Sequence, residues 1–294
     1  MTKTIFEEMG GIYTQVGDYL LPDIALPAEE ETEPIGLWGQ CHARHLKEHH
    51  KVLYINLLTS GKLHSYLADE RARIENLRIV GVTKEETPEV FDTFMEYTTK
   101  AYQSMEIPLE LSFIPIHPGE ILSYGGYRFE IVLLKGHTFG QCGLYEPQKK
   151  LMFVGDQLMT TIVPIVGTQE TDLGMLKCYM NSLGELKHKY KDCYFLPCHY
   201  GEIKNVEKEV NRIIFGYMEK CEIMKHVLEE AGTALTTRDI GVRTYGRSQG
   251  PPDYAHFASC TQIWAKTFSC MEYMMGEGFI ERSERDGIIY WKAL

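Results

Sequence analysis

The residues of this chain best suited to chemistry sit in three short stretches with one geometry. In VLLKGHTFGQCGLY, His137 comes just past an apolar run, with Gly136 and Gly140 freeing the backbone. In LMFVGDQL, Asp156 follows the next apolar run, directly after Gly155. In YFLPCHYGE, His199 follows a third, just before Gly201. Imidazole and carboxylate are the usual ligands of zinc, and the same pair suits iron and manganese. A lone histidine is ordinarily a satisfied structural residue. Three strand ends, each with a metal-capable side chain and an adjacent glycine, point instead to a metal site, because strand ends of layered folds are where sites are built. His137, Asp156 and His199 are therefore the candidate metal ligands, with Asp156 also the candidate catalytic residue.

Other reactive types carry weaker readings. His42, His45 and His49 in HARHLKEHH fall at i, i+3 and i+7, which is a solvated helix face rather than a ligand set. Cys198, beside His199, reads as a buried strand-end thiol, since nothing nearby in sequence would lower its pKa. Cys193 and Cys198 are too isolated to make a zinc knuckle.

The elements that must position the three residues lie in the middle of the chain. YRFEIVLL (127–134) reads as a strand paired across Gly125-Gly126 with the run before it. Residues 143–145 and 151–154 flank the turn EPQKK and read as a second hairpin. SFIPI (112–116) and CYFLP (193–197) are further short apolar strands, and 172–190 reads as a helix. After this come a 3.6-period helix from Val206 to Gly232, a short helix after Thr236-Thr237, a longer helix over 255–278, and a hairpin around Asp286-Gly287. That is winged-helix order. Before it, prolines 22, 27 and 34 deny a helix to an acidic arm, and a basic helix over roughly 39–59 follows. The fold class is α/β (α+β), in segments 1–70, 71–205 and 206–294. The first segment is expected to be a separate, largely helical appendage.

Composition bounds the rest. The chain has 294 residues, with 30 Lys and Arg against 41 Asp and Glu, for a net charge of -11. Such an acidic chain is a poor general binder of phosphate backbones. The arginines of the last segment are interleaved with Asp239, Glu281, Glu284 and Asp286, which reads as a solvated surface more than a nucleic-acid face. No run is long and apolar enough to cross a bilayer. No signal peptide is visible, so the eight scattered cysteines read as reduced thiols of a cytoplasmic protein.

The order GHT-x-G, then F-x-GD, then a strand ending in His-x-Gly resembles the metallo-β-lactamase superfamily. GDQLMTTIVPIVG is similar to the branch that often carries a C-terminal winged helix. The resemblance covers roughly residues 72–294 and implies an αββα sandwich. It makes His137 the third ligand of a first metal, Asp156 a bridge between two metals, and His199 a ligand of the second. The superfamily's H-x-H-x-D-H signature, which supplies four of its seven usual ligands, is absent from this sequence. The sandwich is therefore expected to be truncated, and any zinc (or iron or manganese) site to hold at most one ion. Residues 2–69, from TIFEEMGGIYTQVGDYLLPD to YINLLTSGKLHSYLAD, resemble the transposon-encoded TnpV family, with a join near Asp69–Arg73.

Two functional classes follow. The first is a degenerate or weakly active metal-dependent hydrolase acting on a small-molecule ester, thioester or phosphodiester. The second is a non-enzymatic, transposon-associated fusion protein, binding nucleic acid through the basic 39–64 helices or the winged helix. A sandwich without its front strands leaves an apolar face uncovered, so a marginal or homo-oligomeric protein is expected.

Overall fold

The computed structural model describes residues 13–16, 19–22, 47, 54, 55, 58, 63, 69–104, 115–166, 174–246 and 254–294. His42, His45 and His49, the acidic arm and most of the 39–59 helix lie outside these. Lys47, Tyr54, Ile55 and Leu58 within that stretch are helical, as is Leu63 beyond it. The chain divides into two compact units, Met1–Glu75 and Asn76–Leu294.

The first unit holds a hairpin that the sequence reading did not include. Strands β1 (Tyr13–Val16) and β2 (Tyr19–Pro22) pair antiparallel, with Val16 opposite Tyr19. Two short runs that each open on a tyrosine, separated by Gly17-Asp18, are a hairpin signal. β1 and β2 form a sheet of their own.

Helix α1 (Asp69–Ile79) runs across the boundary between the units, and in the second unit helix α2 (Pro88–Ser104) precedes a five-stranded sheet. Pro88 opens α2, where its missing N–H costs nothing. The sheet runs in the order β3 (Ile121–Tyr124), β4 (Tyr127–Leu133), β5 (Cys142–Glu146), β6 (Leu151–Gly155) and β7 (Tyr194–Pro197). The two expected hairpins are present, with Tyr124 opposite Tyr127 and Glu146 opposite Leu151. Of the expected SFIPI strand, Pro115 and Ile116 lie outside any strand, and residues 112–114 are outside the described residues. Pro115 has no N–H to give a ladder.

Strand direction is what gathers the site. β4 and β5 are antiparallel, β5 and β6 are antiparallel, and β6 and β7 are parallel. β4, β6 and β7 therefore run the same way and end at the same sheet edge. His137, Asp156 and His199 each lie within four residues of one of those ends.

One face of the sheet is the core. Val132, Leu134, Met152, Val154 and Phe195 are buried against helix α3 (Met175–Lys189) and helix α4 (Val206–Ala231) through Leu176, Tyr179, Leu183 and Ile213. The other face is partly bare. Leu122, Tyr127, Phe153 and Tyr194 are exposed there. Phe129 stacks on Tyr127 and meets Phe153 edge-on, with 5.8 Å between ring centroids in each case.

The last elements appear in the expected order. α4 is capped at its start by the Asn205 side chain, which accepts from Lys208 N, and stops at Gly232. Helix α5 (Thr237–Tyr245) takes Thr236 as its N-cap, helix α6 (Tyr254–Gly276) follows, and β9 (Ile280–Arg285) pairs with β10 (Ile288–Ala293). The two-residue strand β8 (Leu235–Thr236) completes a small sheet on β10. Trp291, fully buried, donates to Thr237 Oγ1 at 2.9 Å and meets Phe268 edge-on. Among the described residues no helix is long and apolar enough to cross a membrane.

Candidate functional site

The structure brings His137, Asp156 and His199 together. His137 Nε2 lies 3.6 Å from Asp156 Oδ2, and His199 Nε2 lies 3.5 Å from Asp156 Oδ1. The His137 and Asp156 side chains are about a quarter exposed, at 27% and 28%, whereas His199 is 61% exposed.

Each residue arrives there for a local reason. After β4 the chain turns through Gly136, where a Cβ would fall within 2.7 Å of Tyr179 Cβ. Only glycine lets the strand pass this close to α3 before His137. At the end of β6, Gly155 takes φ 56°, a left-handed conformation that side chains disfavour, and so aims Asp156 off the strand axis. Cys198 N donates to Gly155 O at 3.3 Å, holding the end of β7 beside the end of β6. Cys198 itself is exposed, not buried as the sequence reading had it, because β7 ends one residue earlier.

A buried polar brace supports the site. Gln157, fully buried, accepts from His137 N at 3.3 Å and donates to Lys135 O at 3.3 Å. Tyr179 donates to Gln157 O at 2.8 Å, and Ser182 to Lys135 O at 2.8 Å. Burial holds the Tyr179 hydroxyl well above the ordinary tyrosine pKa, so it stays a donor. His137 Nδ1 lies 2.8 Å from Ile165 O. A carbonyl only accepts, so Nδ1 is the donor in that bond, and Nε2 is the ring nitrogen that faces Asp156. The sequence reading missed Gln157, Tyr179, Ser182 and the Ile165 carbonyl. Only Gln157 had a signal, as a polar residue directly after Asp156 in an apolar stretch.

This arrangement bears on metal binding. Asp156 Oδ1 is buried and has no hydrogen-bond partner, an orphaned acceptor that a cation would satisfy. Two donors at ~2.0–2.1 Å from one tetrahedral ion stand about 3.4 Å apart, close to the two separations here. The carbonyl-bound ring nitrogen of His137 is the usual outer support of a metal-ligating histidine. Among the described residues, however, no group of three or more His, Cys, Asp or Glu side chains is placed to hold a metal ion. His137 and His199 approach different oxygens of Asp156, as two pairs sharing one carboxylate. The donor types fit one divalent ion at Asp156, and the donors are sparse.

Comparisons with known proteins agree with this picture in part. The family model of the transposon-encoded protein TnpV matches residues 12–104. Hydroxyacylglutathione hydrolase GloC of Haemophilus influenzae is 52% identical over 40 residues, which are 14% of this chain and 19% of that protein. The chain thus matches about a fifth of that curated relative's length. A metallo-β-lactamase family protein, TTHA1429 of Thermus thermophilus, superposes with a TM-score of 0.55 at 19% identity, covering 76% of this chain and 69% of that one. A β-lactamase domain protein of Burkholderia ambifaria gives 0.62 at 16% identity, covering 79% and 64%. Over about three quarters of its length, this chain has the metallo-β-lactamase fold, an α/β sandwich architecture.

Proposed function

We propose that this protein is a metal-dependent hydrolase by lineage, weakly active, acting on a small-molecule ester, thioester or phosphodiester. The observation that carries the reading is the pair of imidazoles facing the two oxygens of Asp156, one of those oxygens buried and without a hydrogen bond. His137, Asp156 and His199 would hold one ion, zinc or else iron or manganese. When bound, such an ion supplies Lewis-acid polarisation and lowers the pKa of a water. The protein's own part is orientation. Gln157 and the Ile165 carbonyl fix His137 on both its backbone and its ring. Exposed His199 leaves the site open to substrate on one side. The thioester class has additional support from the partial likeness to a hydrolase of hydroxyacylglutathione. We read the C-terminal helices and hairpin as a winged helix that shapes substrate access. Cytoplasmic residence belongs to the same reading.

The test is hydrolysis of chromogenic ester, thioester and phosphodiester substrates by metal-loaded protein, beside Asp156→Asn. Slow turnover of one class, lost in the variant, is expected. Equal rates in both proteins would overturn the reading.

The TnpV match over residues 12–104 favours a second reading, a transposon-associated protein with no catalytic role. Under that reading the metal-loaded protein turns over none of the three substrate classes, and retention on a nucleic-acid column becomes the informative measurement.

A further inference from the structure

The segment from Asp156 to Val166 is tied down by side chains of the C-terminal helices, carbonyl by carbonyl. Arg212 of α4 donates through Nη2 to Met159 O at 2.7 Å and to Ile162 O at 3.1 Å. Lys266 of α6 donates to Val163 O at 2.9 Å. Tyr217 of α4, buried, donates to Pro164 O at 2.6 Å. The next carbonyl, Ile165 O, is the one that holds His137 Nδ1. α4 also approaches the segment at Gly216, where a Cβ would meet Val163 Cγ2 at 3.2 Å. At its other end, Thr160 donates to the carbonyl of Tyr200, the residue after His199. One loop therefore begins at Asp156, grips the ring of His137 and holds the backbone beside His199.

We propose that Arg212, Tyr217 and Lys266 are positioning residues for the candidate metal site, acting through the 159–165 loop to fix the imidazole of His137. None of the three is placed at Asp156 or at either histidine, and nothing in their residue types marks them in the sequence. Their chemistry suits the task. Loop carbonyls can be held only by donors, and a guanidinium, an ammonium and a phenol each supply one or more. Arg212 is itself fixed by Glu209, whose carboxylate accepts from its Nε at 2.7 Å. Lys266 is largely desolvated, which lowers its pKa and makes its bond to Val163 O costly to lose. The loop whose carbonyl meets the His137 ring is thus held from helices that follow the sheet in the chain.

The experiment uses the full chain, chelator-treated, with nitrogen-labelled histidine. Long-range nitrogen–proton correlation spectra report which ring nitrogen of His137 carries the proton, with no metal present. Wild type is expected to show the proton on Nδ1. Tyr217→Phe and Lys266→Met are expected to replace that signature with mixed tautomers, with far-ultraviolet dichroism unchanged. A wild-type proton on Nε2, or an unchanged Nδ1 signature in both folded variants, would overturn the proposal. If Lys266→Met does not fold, Tyr217→Phe, which removes one oxygen, still decides it. A zinc titration of the same samples separates this inference from the reading on which it rests. Affinity is expected to fall at least about tenfold in the variants, as for other outer supports of metal ligands. A tautomer change in a protein that binds no zinc at all would leave the positioning role standing and remove the metal reading.

Discussion

The Asp156 carboxylate lies between two imidazoles, and its buried Oδ1 makes no hydrogen bond, which costs stability. Asp156→Asn, which replaces the charge with an amide able to donate, is expected to stabilise the metal-free protein by about 1 kcal/mol in a urea titration. A loss of stability would mean that the carboxylate is structural. His199→Ala, at an exposed position, should change stability by no more than about 0.5 kcal/mol while weakening zinc binding. Gly136→Ala is a different case. The added Cβ would collide with Tyr179, and overpacking of this kind costs about 1–3 kcal/mol, read as a lower urea midpoint. The three ligand candidates were legible in the sequence because residue type and strand-end position coincide at each. Their supports were not. Ile165 O and Lys135 O are backbone acceptors that any residue would supply, and Arg212, Tyr217 and Lys266 come from helices distant in the chain.

At the scale of elements, local signals succeeded where a turn or a period announced itself. Gly125-Gly126, the EPQKK turn and Asp286-Gly287 each marked a hairpin that the structure contains. They failed where composition misled. The β1–β2 hairpin went unread, and Pro115 and Ile116, the described residues of SFIPI, lie outside any strand. What no local signal could give was the common direction of β4, β6 and β7, which is a property of pairing. The same pairing lines up Leu122, Tyr127, Phe129 and Phe153 on the face away from α3. Contiguous exposed apolar surface is uncommon on a folded monomer. The native protein is therefore expected to bind the dye ANS, and Phe153→Thr with Leu122→Thr to reduce that fluorescence. Equal fluorescence in wild type and variant would show that this face is covered.

At the scale of the molecule, the TnpV match does not stop where the second compact unit begins. Leu77, Val82 and Val90, all inside the matched range, share a buried cluster with Cys260 and Trp264 near the other end of the chain. Arg238 N also donates to Val80 O at 2.9 Å. The residues from Asn76 onward are thus part of one fold with the C-terminal helices. That unit carries a pH signature. Burial raises the pKa values of Tyr179, Tyr217 and Tyr245 above their ordinary value. The folded state then holds protons that the unfolded state releases near ~pH 10. Stability from these tyrosines is fully present below that pH and falls as pH rises above it. Urea midpoints should decline from ~pH 10 upward, and less steeply in Tyr217→Phe.

The central claim, that His137, Asp156 and His199 form one sparse metal site, is tested most directly by calorimetric titration of the chelator-treated full chain with zinc. The expected result is weak, saturable binding with a stoichiometry of at most one ion per chain, abolished in both His137→Ala and Asp156→Asn. Two ions per chain, no saturable binding, or binding that survives in either folded variant would contradict it.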